Sequence, residues 1–217
     1  MTQDSSLGFD RLLAGYRRFR GSGWEPNRKR WEQLRDGQTP ETMIIACSDS
    51  RVDPSQIFDV DPGEIFVVRN VAALVPPYET SPGHHGVSAA LEFAVQFLNV
   101  KEVLVMGHGR CGGCKAALTQ EMHGQEMGAG GFVANWISML DEVRAPIAQS
   151  LGIDGRPAEQ AMEQAAVKVS LANLRTFPYI RQKEAAGSLR LRGALFAISD
   201  GALHVLDEAD GTFSAVE

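Results

Sequence analysis

Apolar residues fall into two kinds of run along this chain. Met43-Ile44-Ile45-Ala46, Ile65-Phe66-Val67-Val68 and Val103-Leu104-Val105-Met106 are short and unbroken by polar residues. Runs of this kind suit strands buried on both faces. Between and after them the spacing turns helical. Gly86 to Leu98 puts Ala90, Leu91, Ala94, Val95 and Leu98 on one face. Pro157 suits the first turn of a long helix from Ala158 to Arg175. Shorter helices are predicted from Pro54, over Lys115 to Met122, Phe132 to Leu140, Asp141 to Gln149 and Tyr179 to Ala186, with a Gly- and Met-rich loop over Gln120 to Gly131.

The two ends of the chain read differently. Phe9, Leu12, Leu13, Tyr16 and Phe19 form the apolar stripe of an amphipathic helix, which Gly21-Ser22-Gly23 is expected to break. A second short helix holds Trp31 and Leu34. Near the C-terminus, Leu189 to Ile198 predicts a late strand, and Asp200-Gly201 signals a hairpin into an edge strand over Ala202 to Leu206. Strands alternating with helices predict an α/β fold with a mostly parallel central sheet, an antiparallel edge and flanking helices. No linker divides the chain, so 1–217 is read as a single domain with residues 1–36 as an N-terminal helical arm.

Composition narrows the function classes. At 217 residues, 44% hydrophobic and 22% charged, the chain can bury one core. Its net charge of -6 argues against nucleic acid or an anionic membrane as partner. No apolar run reaches membrane-spanning length, and the polar start Met1 to Ser6 lacks an apolar signal core. The three cysteines, Cys47, Cys111 and Cys114, cannot build a disulfide framework. A cytoplasmic, reducing location is expected.

Two strands end on residues that bind metals. Val103 to Met106 leads into Gly107-His108-Gly109-Arg110-Cys111-Gly112-Gly113, and Thr42 to Ala46 leads into Cys47-Ser48-Asp49-Ser50-Arg51. The His-x-x-Cys spacing lets both side chains reach one ion across a tight turn. In an open α/β sheet, loops after neighbouring strands share one edge. Cys47, His108 and Cys111 are therefore candidate ligands of one zinc, and three protein ligands leave a fourth position open, as in catalytic sites. Plainer readings compete here: a core thiol at Cys47, a loop histidine at His108, or a Cys111/Cys114 redox motif. The redox motif leaves His108 and Cys47 without a role.

The segment Cys47-Ser48-Asp49-Ser50-Arg51, followed by His108-Gly109-Arg110-Cys111-Gly112-Gly113, resembles the signature of the β-class carbonic anhydrases. Pro62-Gly63-Glu64, Phe66 to Ala72 and Ala89 to Val95 are similar to the same family, and the likeness runs from Gln38 to Leu118. It implies reversible hydration of carbon dioxide to bicarbonate and a proton, by attack of a zinc-bound hydroxide. One zinc per chain would sit on Cys47, His108 and Cys111. Arg51 would hold Asp49 off the metal, in the open, plant-like arrangement, so that Asp49 accepts a hydrogen bond from the bound water.

The resemblance also implies a substrate pocket at a dimer interface, lined by Gln38, Phe66, Val71, Phe93 and Gly112. Phe93 stands where some relatives carry Tyr. One subgroup has a bicarbonate site of Trp, Arg and Tyr; here Arg69 is joined by Ile44 and Phe196, so no such site is expected. Cys114 stands where relatives carry an aliphatic residue and reads as a core thiol. His84 and His85, in a Pro-rich loop, are either proton relays or surface residues. The implied partner is a second copy, in a homodimer or a dimer of dimers, with the N-terminal helices reaching across. Two other functions share these features: a carbonyl sulfide or carbon disulfide hydrolase using the same ligands, and a zinc-binding or redox module.

Overall fold

The computed structural model describes residues 8–216, and the chain divides after Gln38 into two compact units. The first holds α1 (Gly8–Phe19) and α2 (Arg28–Leu34). The apolar stripe of α1 is not covered within this unit: Phe9 and Leu12 are 68% and 69% exposed. The glycines after α1 do not break the chain direction as expected. Arg20–Trp24 continues as a wider π-type turn, because bare Gly23 lets the Phe19 ring lie against it. That ring meets Trp31 edge-on at 6.0 Å, which ties the turn to α2.

In the second unit the described residues form one six-stranded sheet. Its strands are β1 (Thr42–Cys47), β2 (Ile65–Asn70), β3 (Glu102–His108), β4 (Arg190–Ala197), β5 (Ala202–Asp207) and β6 (Thr212–Ala215). The order is β2-β1-β3-β4-β5-β6. The first four are parallel, while β5 and β6 add antiparallel. β1 is central among the parallel strands. Its residues alternate between two apolar layers, with Met43 and Ile45 in one and Ile44 and Ala46 in the other.

Two expectations change at the sheet's edges. The apolar run of β2 predicts burial on both faces, yet all six of its residues are half-buried, because β2 is the outermost strand. The hairpin after β4 is present, but β5 is not the edge. A further turn adds β6, too short and too polar to stand out in the pattern.

The flanking helices are α3 (Pro54–Ile57), α4 (Gly86–Glu92), α5 (Gly112–Thr119), α6 (Gly131–Ile137), α7 (Asp141–Leu151), α8 (Arg156–Leu174) and α9 (Pro178–Ala185). The single helix expected over Gly86 to Leu98 becomes α4 plus a π-type turn at Phe93–Phe97. Leu91, Ala94 and Val95 still face inward at 0% exposure, while Phe93 and Phe97 are left outside. No helix among the described residues is long and apolar enough to cross a membrane.

Helix α8 lies directly on the sheet, and two glycines make this possible. A Cβ at Gly107 would meet Val167 Cγ2 at 2.8 Å. One at Gly193 would meet Val167, Leu171 and Leu206 at 2.9, 3.0 and 3.1 Å. Gly193→Ala should therefore lower stability by about 1–3 kcal/mol through overpacking. A chemical-denaturation midpoint equal to that of wild type would show that α8 has room to move.

Candidate metal centre

The strand order explains why the site lies where it does. From β1 the chain passes to β2 on one side and then to β3 on the other, which opens a crevice at the C-terminal ends of β1 and β3. Cys47 is the last residue of β1 and His108 the last of β3; Ala46 and Met106 are register partners just below. Cys111 follows across the glycine turn and stands at the N-cap position of α5, its side chain making no capping hydrogen bond. The positive end of a helix dipole favours a thiolate there.

The ligand atoms of Cys47, His108 and Cys111 lie within 4.8 Å of one another, and all three residues are buried. The two sulfurs are 4.0 Å apart. Two thiolates on a tetrahedral zinc, with Zn–S near 2.3 Å, would be separated by about 3.8 Å. His108 Nδ1 donates to the Gly109 carbonyl at 2.9 Å. That fixes the tautomer and turns Nε2 toward the thiols. Nε2 is fully buried with no hydrogen-bond partner among the described residues. A buried polar atom without a partner is costly unless something binds it. The donor set fits zinc on each count.

With no metal bound, the thiols hold their protons. Cys47 is pushed up to about 12, chiefly by its bond with Cys111 and then by burial. Cys111 is pushed up to about 12 as well, chiefly by its bond with Cys114. The folded chain then binds these protons more tightly than the unfolded chain. The stability they contribute is complete below the ordinary thiol value of 9.0 and is lost as pH rises toward about 12. Zinc must displace both protons. Its apparent affinity should rise by roughly a hundredfold from pH 7 to pH 8, with two protons released per ion. Chelator competition and pH-stat titration check this; uptake independent of pH would be the contrary result.

Asp49 and Arg51 stand beside the ligands. Arg51 Nε and Nη2 donate to Asp49 Oδ1 and Oδ2 at 2.9 and 2.6 Å, and the Arg51 amide adds a third bond at 3.0 Å. The guanidinium holds the carboxyl well below the usual carboxylate range. Asp49 Oδ2 lies 3.9 Å from His108 Nε2, so it faces the metal position while still engaged by Arg51.

Other residues hold this arrangement, and reading the sequence did not assign them that role. Arg69 turns all three guanidinium nitrogens to the segment after β1: Nε donates to the Cys47 carbonyl at 2.9 Å, Nη2 to the Asp49 carbonyl at 2.6 Å and Nη1 to Asp53 at 3.0 Å. Arg51 Nη2 also donates to the Arg110 carbonyl at 3.1 Å. Glu163, on the sheet side of α8, accepts from the Arg110 amide and from Arg156. Its one sequence signal is a charge in phase with the buried positions Met162, Ala166, Val167 and Ser170.

The expected pocket residues fall into separate groups. Val71 packs against Gly113, next to Gly112 at the start of α5. The Phe66 and Phe93 rings meet at a tilt with centroids 5.9 Å apart, and Phe93 stacks on Phe97 at 5.8 Å. Phe66 pairs with Met43, four residues before Cys47, roughly 13 Å down the strand. Gln38 is an exposed residue at the end of the N-terminal unit. Cys114 is buried one turn into α5 with core neighbours and lies outside the ligand group. His85 bonds the Ser81 carbonyl at 2.9 Å, and His84 is exposed.

Residues 42–203 match the family model described as carbonic anhydrase. The chain is 36% identical over 201 residues to beta carbonic anhydrase 5, chloroplastic, of Arabidopsis thaliana, covering 91% of this chain and 64% of that protein's length. Among solved structures, the beta-carbonic anhydrase CcaA superposes with a TM-score of 0.88 at 30% identity, over 96% of this chain and 99% of the other. One of two tetrameric beta-carbonic anhydrases from Sordaria macrospora superposes with a TM-score of 0.79 at 31% identity, over 95% and 98%. With three metal-binding side chains at two parallel strand ends, and a likeness running nearly the full length of the chain, this protein belongs to the carbonic anhydrase family, in its beta class.

Proposed function

We propose that this chain catalyses the reversible hydration of carbon dioxide to bicarbonate and a proton, with one zinc held by Cys47, His108 and Cys111. The observation that carries the reading is the convergence of two thiols, an imidazole with a buried unpartnered Nε2 and an Arg-paired carboxylate on one point. Zinc supplies a Lewis acid and a nucleophile at accessible pH. The thiolates of Cys47 and Cys111 would neutralise the charge of an ion held there and leave it a weaker Lewis acid than three imidazoles would. Asp49 Oδ2 accepts a hydrogen bond from the attacking water and orients it. Arg51 keeps Asp49 ionised and off the metal. The rate of carbon dioxide hydration, followed by stopped flow at saturating buffer, should rise from neutral into alkaline pH. A zinc-loaded chain with no hydration activity overturns the reading.

We also infer that the working form is at least a dimer. Phe66 and Phe93 lie too far down the sheet from Cys47 to line the pocket of their own metal, which favours service to a partner's. The exposed rings of Phe93 and Phe97 beside the outer strand β2 are the surface such a partner would cover. The uncovered stripe of α1 is a second such surface, consistent with an arm of the same domain that grips a second copy. Three reduced thiols suit a cytoplasmic or other reducing location.

A further inference from the structure

The mechanism above leaves Glu163 unused, yet its surroundings are those of a working group. Its side chain is 1% exposed, and a buried carboxylate needs a reason to be there. Oε1 accepts from Arg156 Nη1 at 2.7 Å and from the Arg110 backbone N–H at 2.6 Å; Oε2 is buried with no partner among the described residues. The peptide that Glu163 grips joins Gly109 to Arg110. The carbonyl of that same peptide accepts from His108 Nδ1. One residue on, the Arg110 carbonyl accepts from Arg51 Nη2. Arg110 itself sits at φ 56°, a left-handed conformation that surrounding contacts must hold in a residue with a side chain.

We propose that Glu163 is a positioning residue for both halves of the site: by locking the Gly109–Arg110 peptide it orients His108 on one side and Arg51 on the other. Its charge strengthens the bond to the amide. It also polarises the peptide, so that the carbonyl becomes a better acceptor for His108 Nδ1–H and the imidazole a better ligand. Arg156 supplies the countercharge and packs against Gly109, where an added Cβ would meet Arg156 Nη2 at 3.4 Å. Helix α8 thereby reaches the metal without touching it. The inference rests on the zinc-hydratase reading for its meaning, but its test does not depend on turnover.

The test compares Glu163→Ala, Glu163→Asp and Glu163→Gln with wild type, each as the full chain loaded with zinc or with cobalt(II). Aspartate keeps the charge but withdraws the oxygen by one methylene; glutamine keeps the reach. Metal release to a chelator should be about tenfold or more faster in the Ala and Asp variants. In Glu163→Gln, which keeps the reach but not the charge, release should be faster than in wild type by a smaller factor than in Glu163→Ala. The visible bands of the cobalt form should shift in Ala and Asp, as Arg51 loosens and Asp49 moves toward the metal. Should Glu163→Ala fail to fold, the Asp and Gln pair decides alone. Release and spectra unchanged in Glu163→Asp, or Glu163→Gln as fast as Glu163→Ala, would reduce Glu163 to a structural ion pair. Carbon dioxide hydration by wild type, run in parallel, tests the hydratase reading separately.

Discussion

Cys47→Ser should yield a folded chain that retains almost no zinc and hydrates carbon dioxide at least about a thousandfold more slowly than wild type. Serine matches the shape of cysteine, and β1 is held by β2 on one side and β3 on the other, so the fold has no cause to fail. The hydroxyl is a harder and far less acidic donor than a thiol, and it cannot replace a thiolate on zinc. Losing the metal removes several kcal/mol of transition-state stabilisation, and each 1.4 kcal/mol is worth about tenfold in rate. Metal analysis and stopped-flow hydration on the same sample check both halves. Full zinc content with a near-normal rate would remove Cys47 from the ligand set. His108→Asn and Cys111→Ser should behave alike, whereas Cys114→Ser should keep its metal.

The second large effect belongs to the dyad. Asp49→Ala should keep zinc and lose about a hundredfold or more in kcat/KM, the range that a positioned proton acceptor contributes. Arg51→Met should also keep zinc, but with Asp49 freed to approach it. Arg51 also affects stability. Asp49 is depressed in the folded chain, so its contribution is present above the ordinary carboxylate value of 3.8 and is lost as pH falls toward the lower folded value. The stability gap between wild type and Arg51→Met should accordingly be open at pH 7 and close in strong acid. A gap that persists there would show that Arg51 stabilises the fold by something other than its pairing with Asp49, and an Asp49→Ala enzyme of normal kcat/KM would show that the pair takes no part in turnover. Arg51 is about half exposed, which keeps the expected gap modest.

Much of this site was legible because its chemistry is carried by side chains of rare type at strand ends. Cys47, His108 and Cys111 follow apolar runs whose meaning is unambiguous, and a parallel sheet brings such ends together. The family signature points to Asp49 and Arg51, and the structure pairs them beside the three ligands. What was not legible works through backbone atoms. Nothing in the letters Gly109-Arg110 says that one peptide would be held by His108 on one face and Glu163, 53 residues on, at the other. The sequence offers Arg69 only as part of an incomplete bicarbonate site, whereas in the structure it donates to the segment after β1. The fold was missed where composition is a weak guide: β6 is four residues long, and the half-burial of β2 depends on which strand lies beyond it.

The crevice at the ends of β1 and β3 also dictates an order of assembly. Cys47 and Cys111 are 64 residues apart, and β3 cannot pair with β1 until that whole loop has closed. A sheet that has closed this loop presents the two strand ends to zinc already together, so the metal need do none of the closing. Metal bound at that stage slows unfolding and leaves the rate of folding untouched. In a cell short of zinc such a chain would accumulate as a folded, inactive reserve, ready to be switched on by metal supply without new synthesis.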